Sequence, residues 1–122
     1  MKELLKFYAT TQGRLNRLRY FKYGLILGLS TFVISVILQF SAIMITGVED
    51  GLLVKTFSVC VGIVWFFGYL TLVIRRLHDL DKRDLWAIGA LIPYVNFVFG
   101  IWLLLTPGTK GNNQFGSDPL AE

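Results

Sequence analysis

Charged residues are scarce in this sequence, and they are unevenly distributed. They make up 16% of the 122 residues, against roughly a quarter in a typical soluble domain. Most lie in residues 1–22, 49–55 and 75–84, and three apolar runs separate these islands. At about 1.5 Å per helical residue, each run is long enough to cross a bilayer core of about 30 Å. We therefore expect an integral membrane protein with a single domain.

Cysteine is nearly absent as well. The one cysteine, Cys60, lies inside an apolar run, which excludes an intramolecular disulfide and favours a small packing residue. No small-x-small cleavage site precedes Glu49, so the first apolar run is expected to be a retained span rather than a cleaved signal peptide. Nothing resembles a nucleophile, a phosphate-binding loop or a second catalytic cluster, so we expect neither enzymatic activity nor a cofactor.

Three hydrophobic spans are predicted, at residues 24–45, 53–74 and 85–105. The third contains Pro93, which removes a backbone donor and should kink the helix. It also contains Asn96, which needs a polar contact inside the membrane. One kinked span is favoured. The alternative is a shallow re-entrant hairpin that turns back near these two residues, because arms of about ten residues, roughly 15 Å each, cannot cross.

Polar segments flank the spans. Residues 1–22 are predicted to form a leader with a short interfacial helix, 75–84 a charged hinge, and 106–122 an irregular tail rich in turn signals. Asn16 is the expected N-cap of the first span. The predicted fold class is thus all-α, with three hydrophobic helices, the third of them kinked, a short N-terminal interfacial helix and an irregular C-terminal tail.

The distribution of positive charge predicts the orientation in the membrane. Residues 1–22 carry six lysines and arginines and residues 75–84 carry four, whereas the acidic turn at 46–51 carries none. Cytoplasmic segments are enriched in these residues, so the N-terminus and the hinge are expected on the cytoplasmic side. Three complete spans would then place the tail outside, and a re-entrant third segment would return it to the cytoplasm.

Three motifs occur in order along the chain. They are Gly-Arg-Leu-Asn-Arg at 13–17, Arg-Arg-Leu-His-Asp at 75–79, and a tail with Pro-Gly-Thr at 107–109 and Phe-Gly-Ser-Asp-Pro at 115–119. In this combination they resemble the DUF805 family of small bacterial inner-membrane proteins, and the resemblance covers nearly the whole chain. It implies a location in the bacterial inner membrane, in which the predicted spans would make the chain a multi-pass protein. It implies no biochemical activity, because the family name records an unknown function.

Polar residues of the leader and the hinge form the candidate site. If the second span continues as a helix, Arg75 and Arg76 both come within pairing distance of Asp79. Asp81 or Asp84 is expected to cap the third helix. A contact from Asp79 or Asp81 to a leader arginine would join the two segments. Adjacent positive charge disfavours a metal dication here, so no metal is expected. The candidate cluster comprises Arg14, Arg17, Arg75, Arg76, His78, Asp79 and Asp81, with Asn96 as a separate intramembrane polar contact.

Two function classes are compatible with this sequence. The first is a non-enzymatic membrane protein that acts through protein–protein or protein–lipid interaction. Its partners would be the lipid bilayer and another membrane protein or a second copy, docked through the Gly-x-x-x-Gly pair Gly24 and Gly28, which can also serve packing within the chain. The alternative is an oligomeric transporter or channel, although the spans contain no ionisable residue away from their ends. No recognition motif accompanies the net charge of +4, so nucleic acid is not an expected partner.

Overall fold

A computed structural model describes residues 1–121 of the chain, and every regular element in that range is helical. In chain order the elements are α1 (Lys2–Ala9), α2 (Arg17–Thr46), α3 (Leu52–Asp79), a 3-10 helix (Asp84–Ala90) and α4 (Val95–Leu105). The prediction of an all-α protein with three apolar helices is confirmed, and α1 corresponds to the short helix predicted in the leader.

The two long helices, α2 and α3, pack side by side and run antiparallel. With 30 and 28 residues they are about 45 and 42 Å long, and both are long and apolar enough to cross a membrane. Only 11% of the most apolar window of α2 and 22% of that of α3 are buried, so their apolar side chains face outwards, whereas a core helix of a soluble protein is mostly buried. Asn16 caps α2 by accepting a hydrogen bond of 2.8 Å from the amide of Arg19, as predicted.

The third apolar segment requires a correction. The single kinked helix favoured over residues 85–105 is replaced by the 3-10 helix, a break at residues 91–94, and α4. Pro93 cannot donate a backbone hydrogen bond and disfavours helical geometry in the residue before it, and Tyr94 follows with a left-handed φ of 65°. The 11 residues of α4 extend only about 16 Å and cannot cross a bilayer core of about 30 Å.

Close packing between the two arms makes this segment a hairpin. A Cβ on Gly89, in the 3-10 helix, would lie 2.9 Å from the ring of Phe99, in α4, so the glycine lets the arms touch. The hairpin begins after the end of α3 and returns to that end. Arg76, in the last turn of α3, donates to the carbonyl of Leu103 near the end of α4. The tail therefore lies at the same end as the leader, as the re-entrant alternative requires.

The best-buried part of the protein also lies at this end. The largest side chains with 0–1% exposure are those of Leu15, Leu72, Val73, Arg76, Leu77 and Leu103. They come from the segment before α2, from the last two turns of α3 and from α4. At the opposite end, α2 terminates at Gly47, whose φ of 69° is left-handed, and the short turn to α3 follows. The core thus holds together the end at which leader, hinge and tail meet.

Candidate functional site

Four of the predicted site residues meet at this end, and we call them the polar cluster: Arg14, Arg76, His78 and Asp79. Each is at most 6% exposed. Three of them come from the last turn of α3, which continues through the predicted hinge as far as Asp79. Arg14 comes from the segment between α1 and α2. The helix register of α3 and the short link before α2 therefore bring the leader motif against the hinge motif.

One carboxylate lies between two guanidinium groups in this cluster. Arg76 Nη1 donates to Asp79 Oδ2 at the i,i+3 spacing, and Arg14 Nε donates to Asp79 Oδ1 over 3.1 Å. The arginine side chains are 0–1% exposed and the aspartate side chain is 4% exposed. Since two positive charges share one negative charge, these three side chains carry a net charge of +1, and the remaining donors need neutral acceptors.

Arg76 supplies such contacts at the end of α4. Its Nε donates to the carbonyl of Leu103 over 2.8 Å, and its Nη2 donates to the carbonyl of Thr106. The last carbonyls of a helix have no hydrogen-bond donor within the helix, and a cation near them also interacts favourably with the helix dipole. Nη1 adds a bond of 3.2 Å to the carbonyl of Leu15, just before α2. One side chain of α3 thus fixes the start of α2 and the end of α4.

Arg14 binds the tail in the same manner. Its Nη1 donates to the carbonyl of Gly111 over 2.6 Å, and its Nη2 donates to the carbonyl of Thr109. Asp118 closes this part of the tail, because its carboxylate accepts hydrogen bonds from the amides of Leu120 and Gly111. These two bonds lower the pKa of the Asp118 carboxyl below its ordinary value. The irregular tail is therefore an ordered loop built around a guanidinium group.

Three tail residues that sequence reasoning did not single out complete the site. A Cβ on Gly108 would lie 2.1 Å from Asp79 Oδ2, so only glycine fits there. Thr109 donates its amide and its hydroxyl to the carbonyl of Asp79 over 2.8 and 3.0 Å. Asn113 Nδ2 donates to the carbonyl of His78 over 2.9 Å. The tail thereby binds two of the last carbonyls of α3. In the sequence, the Pro-Gly-Thr motif at 107–109 was the signal that could have indicated this contact.

His78 joins three segments through its ring. The Nδ1 atom lies 3.1 Å from the carbonyl oxygen of Gly13, and Nε2 lies 2.6 Å from Asp84 Oδ1. Both ring nitrogens therefore have an oxygen partner, one in the leader and one in the 3-10 helix. The ring also stacks on Phe115 at 4.0 Å and an interplanar angle of 6°. Asp84 was predicted to cap the next helix; it makes no capping bond and pairs with His78 instead.

The other predicted residues lie outside the polar cluster. Arg75 does not pair with Asp79: its guanidinium lies 4.3 Å from the ring centre of Phe7 and donates to that residue's carbonyl, which holds α1 against α3. Asp81 caps no helix; it is exposed and takes a φ of 57° where α3 ends. Arg17 is exposed and forms no ion pair or side-chain hydrogen bond within residues 1–121. Over the same range, no three His, Cys, Asp or Glu residues are grouped to hold a metal ion.

Asn96 opens onto a separate feature, which we call the lateral groove. This cleft of about 520 Å³ lies between α2, α3 and α4, and its walls include Phe21, Gly24, Gly28, Trp65, Phe97 and Ile101. A Cβ on either glycine would meet no atom within 4 Å, so the Gly-x-x-x-Gly pair does not mediate close helix packing within the chain. It leaves open space on an apolar surface. The Asn96 side chain has no hydrogen-bond partner within residues 1–121.

Comparison with known proteins gives consistent matches over almost the whole chain. A family model described as a protein of unknown function, DUF805, matches residues 8–117. Inner membrane protein YhaI of Escherichia coli K12 is 32% identical over 116 residues, which cover 95% of this chain and 91% of that protein. Inner membrane protein YhaH of the same strain is 32% identical over 120 residues, which cover 98% and 95% respectively. No solved structure matches the chain.

Proposed function

This chain belongs to the DUF805 family of membrane proteins of unknown function, and from that premise we propose that it is a non-catalytic membrane protein that binds a lipid in its lateral groove. The observation that carries the proposal is the groove itself. It is preformed, apolar and open on one side, and its volume of about 520 Å³ falls within the range of about 300–1,000 Å³ that small-molecule sites occupy.

The polar cluster supports the proposal by being fully engaged within the chain. The side chains of Arg14, Arg76, His78 and Asp79 are buried, and their polar atoms bind one another, the tail and backbone carbonyls. Such a cluster offers no free group to a substrate. Its role in this proposal is mechanical: Arg76 ties the start of α2 and the end of α4 to α3, and these three helices are the walls of the groove.

A second copy of the chain is a poorer occupant than a lipid. Two copies inserted in the same direction and paired symmetrically through this face would bring their Arg17 side chains together at one end of the groove. Like charges repel, and none of the residues within 1–121 that line the groove is acidic. A lipid chain, by contrast, gains close packing against the surface that the two glycines leave open.

We further propose that the end with leader, hinge and tail faces the cytoplasm. All lysines and arginines except Lys55 belong to these three segments, and the short turn at the other end carries Glu49 and Asp50. Such a distribution supports a cytoplasmic location through the positive-inside rule. Lys55 is exposed and pairs with Asp50 over 3.2 Å, so it adds no unpaired charge at that end.

Filling the groove tests the proposed function. Gly28→Leu places a side chain in the groove, and Gly62→Leu places the same side chain on an exposed face of α3 that does not line it; neither Cβ meets an atom within 4 Å. After purification in mild detergent, native mass spectrometry should detect bound lipid on the wild type and on Gly62→Leu and little on Gly28→Leu. Circular dichroism should show equal helix content in all three.

Two results would contradict the proposal. Equal lipid retention by the Gly28→Leu and Gly62→Leu proteins would show that lipid adheres elsewhere. A protein that copurifies with the wild type and is lost specifically from Gly28→Leu would show that the groove binds a polypeptide.

A further inference from the structure

A positive charge lies about one helical turn from the residues that line the lateral groove. Arg17, Phe21, Gly24 and Gly28 follow one another at i, i+4, i+7 and i+11 in α2, a spacing that places them on one face of the helix. The last three line the groove. Arg17 is the first residue of α2 and therefore lies at the end of this groove, level with the leader and the hinge.

Within residues 1–121, no acidic group pairs with this charge. The aspartate nearest to the leader, Asp79, is shared by Arg14 and Arg76, and Asp84 pairs with His78. Arg17 is exposed and has no ion pair or side-chain hydrogen bond within residues 1–121. Its position also opposes the dipole of α2, since positive charge is unfavourable in the first turn of a helix. The placement of Arg17 is therefore not explained by the stability of the fold.

An anion supplied from outside the chain would account for it. We propose that the lateral groove takes an anionic phospholipid, whose acyl chain packs against Gly24 and Gly28 while the guanidinium of Arg17 binds its phosphate. This inference rests on the proposed function, because it assigns a headgroup to the lipid that occupies the groove.

The guanidinium group of Arg17 and the apolar surface of the groove both suit this ligand. A guanidinium group presents paired donors that match the oxygens of a phosphate, and basic sites between helices at the cytoplasmic side suit anionic headgroups. A zwitterionic phospholipid offers the same phosphate with an attached cation, which Arg17 would repel. Inorganic phosphate offers the charge without a chain, so it leaves the apolar surface of the groove empty.

Quenching of Trp65, which lines the groove, reports the occupant directly. The full-length chain, with Trp86 and Trp102 replaced by phenylalanine, is reconstituted into phosphatidylcholine vesicles. Phosphatidylglycerol or phosphatidylcholine with brominated acyl chains is then titrated in. The wild-type groove should prefer the anionic lipid by about fivefold, as expected for one arginine that meets a net negative headgroup at the membrane surface. Inorganic phosphate in excess should not displace it.

Arg17→Gln should abolish this preference while leaving quenching by phosphatidylcholine unchanged. Arg83→Gln is the matched control, since Arg83 is also exposed, lies at the same end and does not line the groove; it should keep the preference. Retention of the preference by Arg17→Gln would overturn the headgroup assignment, and its loss in both variants would indicate general attraction to the surface. If neither lipid quenches Trp65 more in the wild type than in Gly28→Leu, the proposed function itself fails.

Discussion

Replacement of Asp79 by asparagine is expected to destabilise the protein more than any other change of a single charge. The substitution keeps the shape of the side chain but leaves the guanidinium groups of Arg14 and Arg76 without a counter-ion, in a site where they are 0–1% exposed. The asparagine NH₂ would also face one of the two arginines, donor against donor.

The magnitude follows from burial. Removing one partner of a buried ion pair costs about 3–5 kcal/mol, because the remaining charge stays desolvated. Here two arginines lose the same partner, so we expect a loss at the upper end of that range. This is a large share of the roughly 5–15 kcal/mol that stabilises a typical domain. Asp81→Asn is the matched control, because Asp81 lies two residues further on and is exposed. This substitution should change the free energy of unfolding by no more than about 0.5 kcal/mol.

The assay is reversible unfolding in detergent micelles, followed by tryptophan fluorescence. The double variant Arg14→Met/Asp79→Asn should lose much less unfolding free energy than the sum of the losses in the two single variants, because each single change removes the same ion pair. Equal stability of Asp79→Asn and Asp81→Asn, or additive effects of the Arg14 and Asp79 changes, would show that the buried ion pair does not stabilise the fold.

Three further changes test other contacts of the site. Gly108→Ala should cost about 1–3 kcal/mol, because its methyl overlaps the Asp79 carboxylate, whereas Gly62→Ala, in open space, should cost nothing; thermal unfolding compares them. Arg76→Lys should lower the unfolding temperature nearly as much as Arg76→Ala, since one ammonium cannot span its acceptors; equal stability of Arg76→Lys and wild type would contradict this. Phe115→Ala should expose the tail, so limited proteolysis should cleave it faster than in the wild type; unchanged cleavage would show that the His78 stack is dispensable.

Much of the fold could be predicted from the sequence because its signals are local. The apolar runs define α2 and α3, and Asn16 is a side chain suited to an N-cap immediately before the first run. A contact between the leader and the hinge was expected as well. Which arginine makes it was not predictable, since Arg14 lies in a link without helical periodicity and its direction depends on the packing of Leu15 and the tail.

The form of the third segment depended on contacts that the sequence does not reveal. Pro93 breaks a helix equally well in a kinked span and in a hairpin. The hairpin is decided by the packing of Gly89 against Phe99 and by the bond from Arg76 to Leu103, which joins residues 27 positions apart. The roles of Gly108 and Thr109 were hidden for the same reason, because both act on the end of a distant helix.

The most direct test of the central claim, that leader, hinge and tail share one side of the membrane, is cysteine accessibility in sealed right-side-out vesicles. In a Cys60→Ala background, the exposed positions Thr11, Glu49 and Ser117 are changed one at a time to cysteine and treated with a membrane-impermeant maleimide. We expect Thr11→Cys and Ser117→Cys to behave alike and opposite to Glu49→Cys, with only Glu49→Cys labelled before the vesicles are opened. Labelling of Ser117→Cys together with Glu49→Cys, while Thr11→Cys stays protected, would contradict it.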